Sequence, residues 1–212
     1  MKKVNKYLGL GFILLTLVSL GIVNRTTNKV KKEKFSSNMK NVFGKSLLKC
    51  RKNPSDLRGS WDSKGYCSEL HGGVHQICFD VNDRTKNFAR DTGQGSNWSL
   101  ERSNKNHCMC LGAYALYKAK QETGTLPKTN NELVCSAIPE VALSDSYIST
   151  WNSWNGNELP NQIVNGVNSL VKQCLNQTDE VGKKYLTQKY LNLARNRSEF
   201  HSTLLYKRLS KN

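Results

Sequence analysis

Val74-His-Gln-Ile-Cys-Phe-Asp-Val81 decides the reading of the fold. The run is rich in β-formers. Strict alternation places His75, Ile77, Phe79 and Val81 on one face and Val74 and Cys78 on the other, the pattern of a half-buried strand. Downstream, Cys108 to about Thr123 has helical spacing, with Leu111, Tyr114, Ala115 and Ala119 toward a core and Gly124 as the stop. A strand followed by a helix within one short domain predicts an α+β or α/β fold, with a few short strands and three to four helices.

Further elements extend outward from this pair. Asp83 is expected to cap a short helix carrying Phe88 and ending near Arg90, and DTGQGSN from Asp91 to Asn97 reads as a loop. Leu133 to Ile138 reads as a strand before Pro139. Ile163, Val167, Leu170, Val171 and Cys174 recur at three and four residues, the clearest amphipathic helix in the chain. Thr178 is expected to cap a last helix, with Asp179 and Glu180 against its positive end. That helix carries Val181, Tyr185, Tyr190, Leu204 and many basic residues, and so packs on the domain or lies on a membrane.

The amino end is of a different kind. Tyr7 to Val23, YLGLGFILLTLVSLGIV, contains no charge, and eleven of its seventeen residues are Leu, Ile, Val or Phe. As a helix it spans about 25 Å, and its apolar residues favour insertion by about 4 to 5 kcal/mol before the smaller residues are counted. Lys6 and Arg25 flank it and can snorkel to the interface. The expectation is a single-pass membrane anchor; the alternative is a signal peptide removed on secretion. No Ala-x-Ala cleavage pattern is present, and the basic stretch after Val23 suits a stop at the bilayer better than a mature start. The predicted organisation is a basic tail over 1–6, a membrane helix or uncleaved signal anchor over 7–23, a basic linker over 24–40, a cysteine-containing globule over 41–174, and a basic helical extension over 175–212.

The formal net charge is +16, most of it terminal: residues 1–34 contribute +7 and residues 175–212 contribute +5, leaving +4 for 35–174. Basic flanks beside a bilayer are drawn to anionic headgroups by about 1 kcal/mol per residue near the surface. No helix-turn-helix, ribonucleoprotein or zinc-finger pattern occurs, so lipid is the expected partner and specific nucleic-acid reading is not. Basic residues flank the apolar run on both sides, so charge alone does not orient it. The sequons at Asn24, Asn97, Asn176 and Asn196 are no more numerous than composition gives by chance.

An ordered series joins these pieces. Asn41-Val-Phe-Gly-Lys-Ser-Leu47 leads to Cys50; Gly65-Tyr-Cys67, His75-Gln-Ile-Cys78 and Cys108-Met-Cys110 follow. The series resembles the bacterial family known as domain of unknown function 2237, over roughly residues 41–149, with weaker echoes at Phe88-Ala-Arg-Asp91 and Ile138 to Leu143. The resemblance implies a compact α/β domain and supplies no activity. The chain departs from the pattern at His107, where the family commonly has Trp, and in carrying an apolar amino-terminal run.

Seven cysteines leave an odd one over. Cys135 and Cys174 lie outside the family series; in an exported domain they would close a loop of about 40 residues, worth about 4 kcal/mol in the loop-entropy model. Zinc is the cofactor that the thiols and imidazoles of Cys67, His71, His75, Cys78, Cys108 and Cys110 suggest, although no standard finger spacing is present. His75, Cys78, His107, Cys108 and Cys110 are the candidate ligands. A nucleophilic thiol is the other option, at Cys78 near His75 or at Cys108 after His107 on a helix start. Residues three apart on a strand face opposite ways, which separates His75 from Cys78. No residue is assigned a catalytic role on this evidence. Trp151 and Trp154 form either an exposed platform for a ligand such as a sugar or a loop tucked onto the domain. Two functions follow: a membrane-tethered structural or binding domain, or a membrane-held thiol- or zinc-dependent enzyme.

Overall fold

The computed structural model describes residues 39–68, 75–151, 153–154, 157–158 and 160–211. The apolar run at 7–23 lies outside them, as do His71 and Val74. Among the described residues the fold is mixed α+β, and no helix is long and apolar enough to cross a membrane.

The centre is an antiparallel pair, β1 (Ile77–Val81) and β2 (Lys105–Met109), with Cys78 opposite Cys108 and Phe79 opposite His107. Two short helices, α1 (Phe88–Asp91) and α2 (Trp98–Glu101), fill the connection between them. The extended segment 132–134 lies along the free edge of β1: Asp80 N donates to the Glu132 carbonyl and Val134 N to the Cys78 carbonyl. On the far side, Cys108 N donates to the Gly59 carbonyl, so a loop covers the edge of β2.

β1 is not half-buried. Ile77, Cys78, Phe79 and Val81 are all fully enclosed. One face packs under an aromatic layer, in which Phe79 meets Phe88 at 5.0 Å and the edges of Tyr114 and Tyr117. The other face is closed by disulfides, so alternation in the sequence was no guide to exposure.

Helix α3 (Leu111–Glu122) begins two to three residues later than its periodicity predicts, because Cys108 belongs to β2 and Cys110 is the N-cap, its sulfur accepting from Ala113 N. After α3, Leu133 makes a single bridge to Phe79 and Cys135–Ala137 then turns as a 3-10 helix; the strand expected over 133–138 is therefore one pairing long. A second 3-10 turn (Glu140–Leu143), α4 (Asp145–Ser149), and the two-residue strands β3 (Ser153–Trp154) and β4 (Asn157–Glu158) lead to α5 (Pro160–Leu175). Proline at the first helical position suits a site whose N–H has no intrahelical partner.

The amphipathic face of α5 buries Ile163, Val167, Leu170, Val171 and Cys174. It lies closely on α3 because Gly166 faces Ala115: a Cβ on Gly166 would sit 2.8 Å from the Ala115 methyl. Beneath this contact lies a buried ion pair. Lys118 Nζ is 3.0 Å from Glu132 Oε1, which also accepts from Gln173 Nε2 at 2.9 Å, while Lys118 donates to the Thr129 carbonyl at 2.7 Å.

Asp179, not Thr178, caps α6 (Glu180–Asn196), its carboxylate accepting from Gly182 N. The last helix expected from sequence is in fact three pieces: α6, a 3-10 turn (Ser198–Phe200), and α7 (Leu204–Leu209). Leu186, Tyr190, Leu193, Phe200 and Leu205 from this segment join the common core. The amino-terminal turn is stitched to it as well: Lys45 pairs with Asp179 at 2.8 Å, and Gly44, at φ +73°, lies against the Tyr185 ring. Among the described residues, seven α-helices stand where three to four were expected. α1, α2, α4 and α7 are four to six residues long, too short to leave a periodic signal.

Trp151 is buried and meets Tyr147 edge to face at 6.3 Å, which removes it from any exposed platform.

Candidate functional site

Six of the seven cysteines are paired. Cys50 bonds Cys78, Cys67 bonds Cys108, and Cys135 bonds Cys174, the pair expected if the domain is exported. The register of the hairpin explains the first two. Cys78 and Cys108 oppose each other, so their side chains leave the same face and each meets a cysteine from the 50–67 loop. In this state Cys67, Cys78 and Cys108 are not thiolates, and the zinc and nucleophile readings lose those sulfurs. Cys108 also lacks the helix start on which its activation depended.

The remaining sequence candidates converge. His75, His107 and Cys110 line one cleft of about 290 Å³ together with Ser60, Gln94, Trp98, Met109 and Ala113. β2 supplies His107, the strand-to-helix junction supplies Cys110, and α2 supplies Trp98. The His107 ring stacks on Trp98 with centroids 4.0 Å apart, and its Nε2 lies 3.2 Å from Ser60 Oγ. Ser60 holds a left-handed backbone, φ +52°, uncommon for a residue with a side chain. Gln94 Oε1 accepts from the Trp98 indole at 2.8 Å and fixes the stacked pair.

Electrostatics set what this cleft can do. Burial, assisted by the nearby Arg102 guanidinium and His75, lowers His107 to about 3, so the imidazole is neutral at pH 7. The ring keeps an exposed edge, but its Nδ1 is enclosed and has no hydrogen-bond partner. Arg102 is itself held by Asp56 through two bonds of 3.1 and 2.8 Å and stands over the Trp61 ring. Burial raises the Cys110 thiol to about 12, against smaller opposing contributions from backbone N–H groups. A protonated thiol and a weakly basic imidazole make a poor nucleophile and base at neutral pH. Among the described residues that line the cleft, none is a carboxylate that could orient His107.

Among the described residues, the one triple of potential metal-ligating atoms within 4.8 Å of one another is Cys50, Cys67 and Cys108. His75, His107 and Cys110 share a cleft without meeting that spacing. Ser60, Gln94 and Trp98 were missed in the sequence. They come from two separate loops and a one-turn helix, and nothing in their spacing ties them to His107.

No family model matches the chain, nor does any curated protein or solved structure.

Proposed function

We propose that this protein is a single-pass, membrane-tethered protein whose disulfide-stapled domain lies on the oxidising side of the bilayer and acts as a structural or binding module. The observation that carries this is the pairing of six cysteines, all of them buried. Disulfides of this kind form and persist in oxidising compartments and are rare in the cytosol. The apolar run at 7–23, with Lys2, Lys3 and Lys6 before it, supplies the tether, with the short amino-terminal tail left on the cytosolic side. The ordered cysteines at 50, 67, 78, 108 and 110 remain the ground for placing the domain beside domain of unknown function 2237. A neutral imidazole stacked on an indole, next to a protonated thiol, suits recognition of a small polar ligand better than turnover. Exposed Lys184, Arg195, Lys207, Arg208 and Lys211 on and after α6 extend the basic character of the amino-terminal linker, and favour contact with anionic headgroups.

Protease protection of the full-length protein in sealed microsomes tests the orientation. The segment after Val23 should survive protease added outside and disappear once detergent opens the vesicles. Complete digestion of that segment in intact vesicles overturns the reading.

A further inference from the structure

Two of the three disulfides are neighbours. Cys78 and Cys108 are directly opposed in the hairpin and project from one face, and Cys50 and Cys67 approach that face from the adjoining loop. Both Cys50 N and Arg51 N donate to the Gly65 carbonyl, which knits the two loop cysteines together. As a result the sulfurs of Cys50, Cys67 and Cys108 all lie within 4.8 Å of one another, and the Cys78 sulfur is bonded to that of Cys50. All four residues are fully enclosed. We propose that this cluster is a redox-gated zinc site: when both disulfides are reduced, Cys50, Cys67, Cys78 and Cys108 bind one zinc ion as four thiolates.

The chemistry of the donor set favours this ion. Zinc in structural sites takes four tetrahedral thiolate or imidazole ligands, with thiolate sulfurs at about 2.3 Å, which puts neighbouring sulfurs about 3.8 Å apart. Three of the four sulfurs lie within 4.8 Å of one another and the Cys78 sulfur is bonded to one of them, so in the reduced protein side-chain rotations can bring the fourth ligand in while the hairpin keeps its register. Sequence spacing concealed the site. Two ligands come from opposed strand positions and two from a loop, so no Cys-x-x-Cys pair arises.

The states interconvert by a balanced step. A phosphine reductant attacks one sulfur of each disulfide; with one water per bond it becomes phosphine oxide, and each disulfide takes up two electrons and two protons to give two thiols. Zinc then displaces up to four thiol protons into solvent. In the oxidised protein no thiolate is available, and the site is closed to metal. The proposal concerns the chemistry of the cluster and stands apart from the side of the membrane on which the domain lies.

Cobalt(II) is the probe, since thiolate-to-cobalt charge transfer reports the ligands directly. Full-length protein in detergent, reduced with a water-soluble phosphine, should bind one cobalt per chain with an intense near-ultraviolet thiolate band, and zinc should bleach it. The untreated protein should show neither. Cys50→Ser or Cys108→Ser should diminish the band and weaken zinc binding by roughly 10-fold or more. Cys110→Ser and the double change Cys135→Ala, Cys174→Ala should leave the band intact. Reduced protein that stays folded by circular dichroism and shows no thiolate band overturns the proposal. So does loss of the band in Cys110→Ser. If reduction unfolds the domain, zinc should restore its circular dichroism; failure to do so counts equally against the site.

Discussion

Acidification should destabilise this domain through His107. The unfolded imidazole titrates near 6.5, whereas burial beside Arg102 and His75 lowers it to about 3 in the folded state. Between these values the unfolded chain binds more protons than the native one, so stability is fully present above the upper limit and lost as pH falls toward the lower. From the two values, the loss between pH 7 and pH 5 is about 2 kcal/mol, against the 5 to 15 kcal/mol typical of a domain. The structural reason is specific. A charged ring would carry a proton on Nδ1, which is enclosed and has no acceptor, while Arg102 stands nearby. His107→Phe keeps an aromatic ring against Trp98 and removes the titration, at the expense of the Ser60 contact. Urea unfolding of full-length wild type and variant in detergent, at pH 7, 6 and 5, separates this contribution from that of the carboxylates. The wild type should lose about 2 kcal/mol more than the variant over that range. Parallel losses in the two proteins would refute the assignment of acid sensitivity to His107.

Other perturbations follow from the core. Lys118→Met strands the Glu132 carboxylate in the interior and should cost about 3 to 5 kcal/mol, whereas Lys118→Met with Glu132→Leu should recover most of that loss; a double-mutant cycle in urea reads both. Replacing Cys135 and Cys174 together by Ala opens a loop with a sequence separation of 39 and should lower stability by about 4 kcal/mol, seen as a reduced denaturation midpoint that no longer responds to reductant at this bond. Burial raises the titration of Tyr114 and Tyr147 above that of free tyrosine, so their contribution is intact below about pH 10 and lost as pH climbs through the folded values. The ultraviolet signal of ionised tyrosine should therefore appear in two stages, the later one coinciding with unfolding.

The parts of the fold that were legible in the sequence are those in which one element carries its own signal. Helix α5 was readable because five apolar residues at helical spacing all reach the core. The β1 run was readable by its residue types, but its burial on both faces was not, because the second cover is a pair of disulfides contributed by a loop. β2 was not read at all and the start of α3 was placed three residues early, since Cys110, an unusual N-cap, does the work that Ser or Asp ordinarily advertises. Leu133 was read as the head of a strand because β-formers follow it; a tight turn at Cys135, set by its bond to Cys174, ends the pairing after one residue. The candidate site was partly visible. His75, His107 and Cys110 were marked by residue type, while Ser60, Gln94 and Trp98 reach the cleft only through the tertiary path of two loops and a one-turn helix. The choice among metal, thiol and structural roles for the cysteines depended on cross-strand register, which spacing along the chain does not encode.

The redox state of the cysteines in the cell bears most directly on the account. Cells expressing the full-length protein are quenched in acid, denatured, and alkylated with a mass-tagged maleimide, with and without prior reduction. The account predicts one tag per chain before reduction, from Cys110, and seven after it. Seven tags without reduction would contradict it, for they would place the domain in a reducing compartment with its staples open.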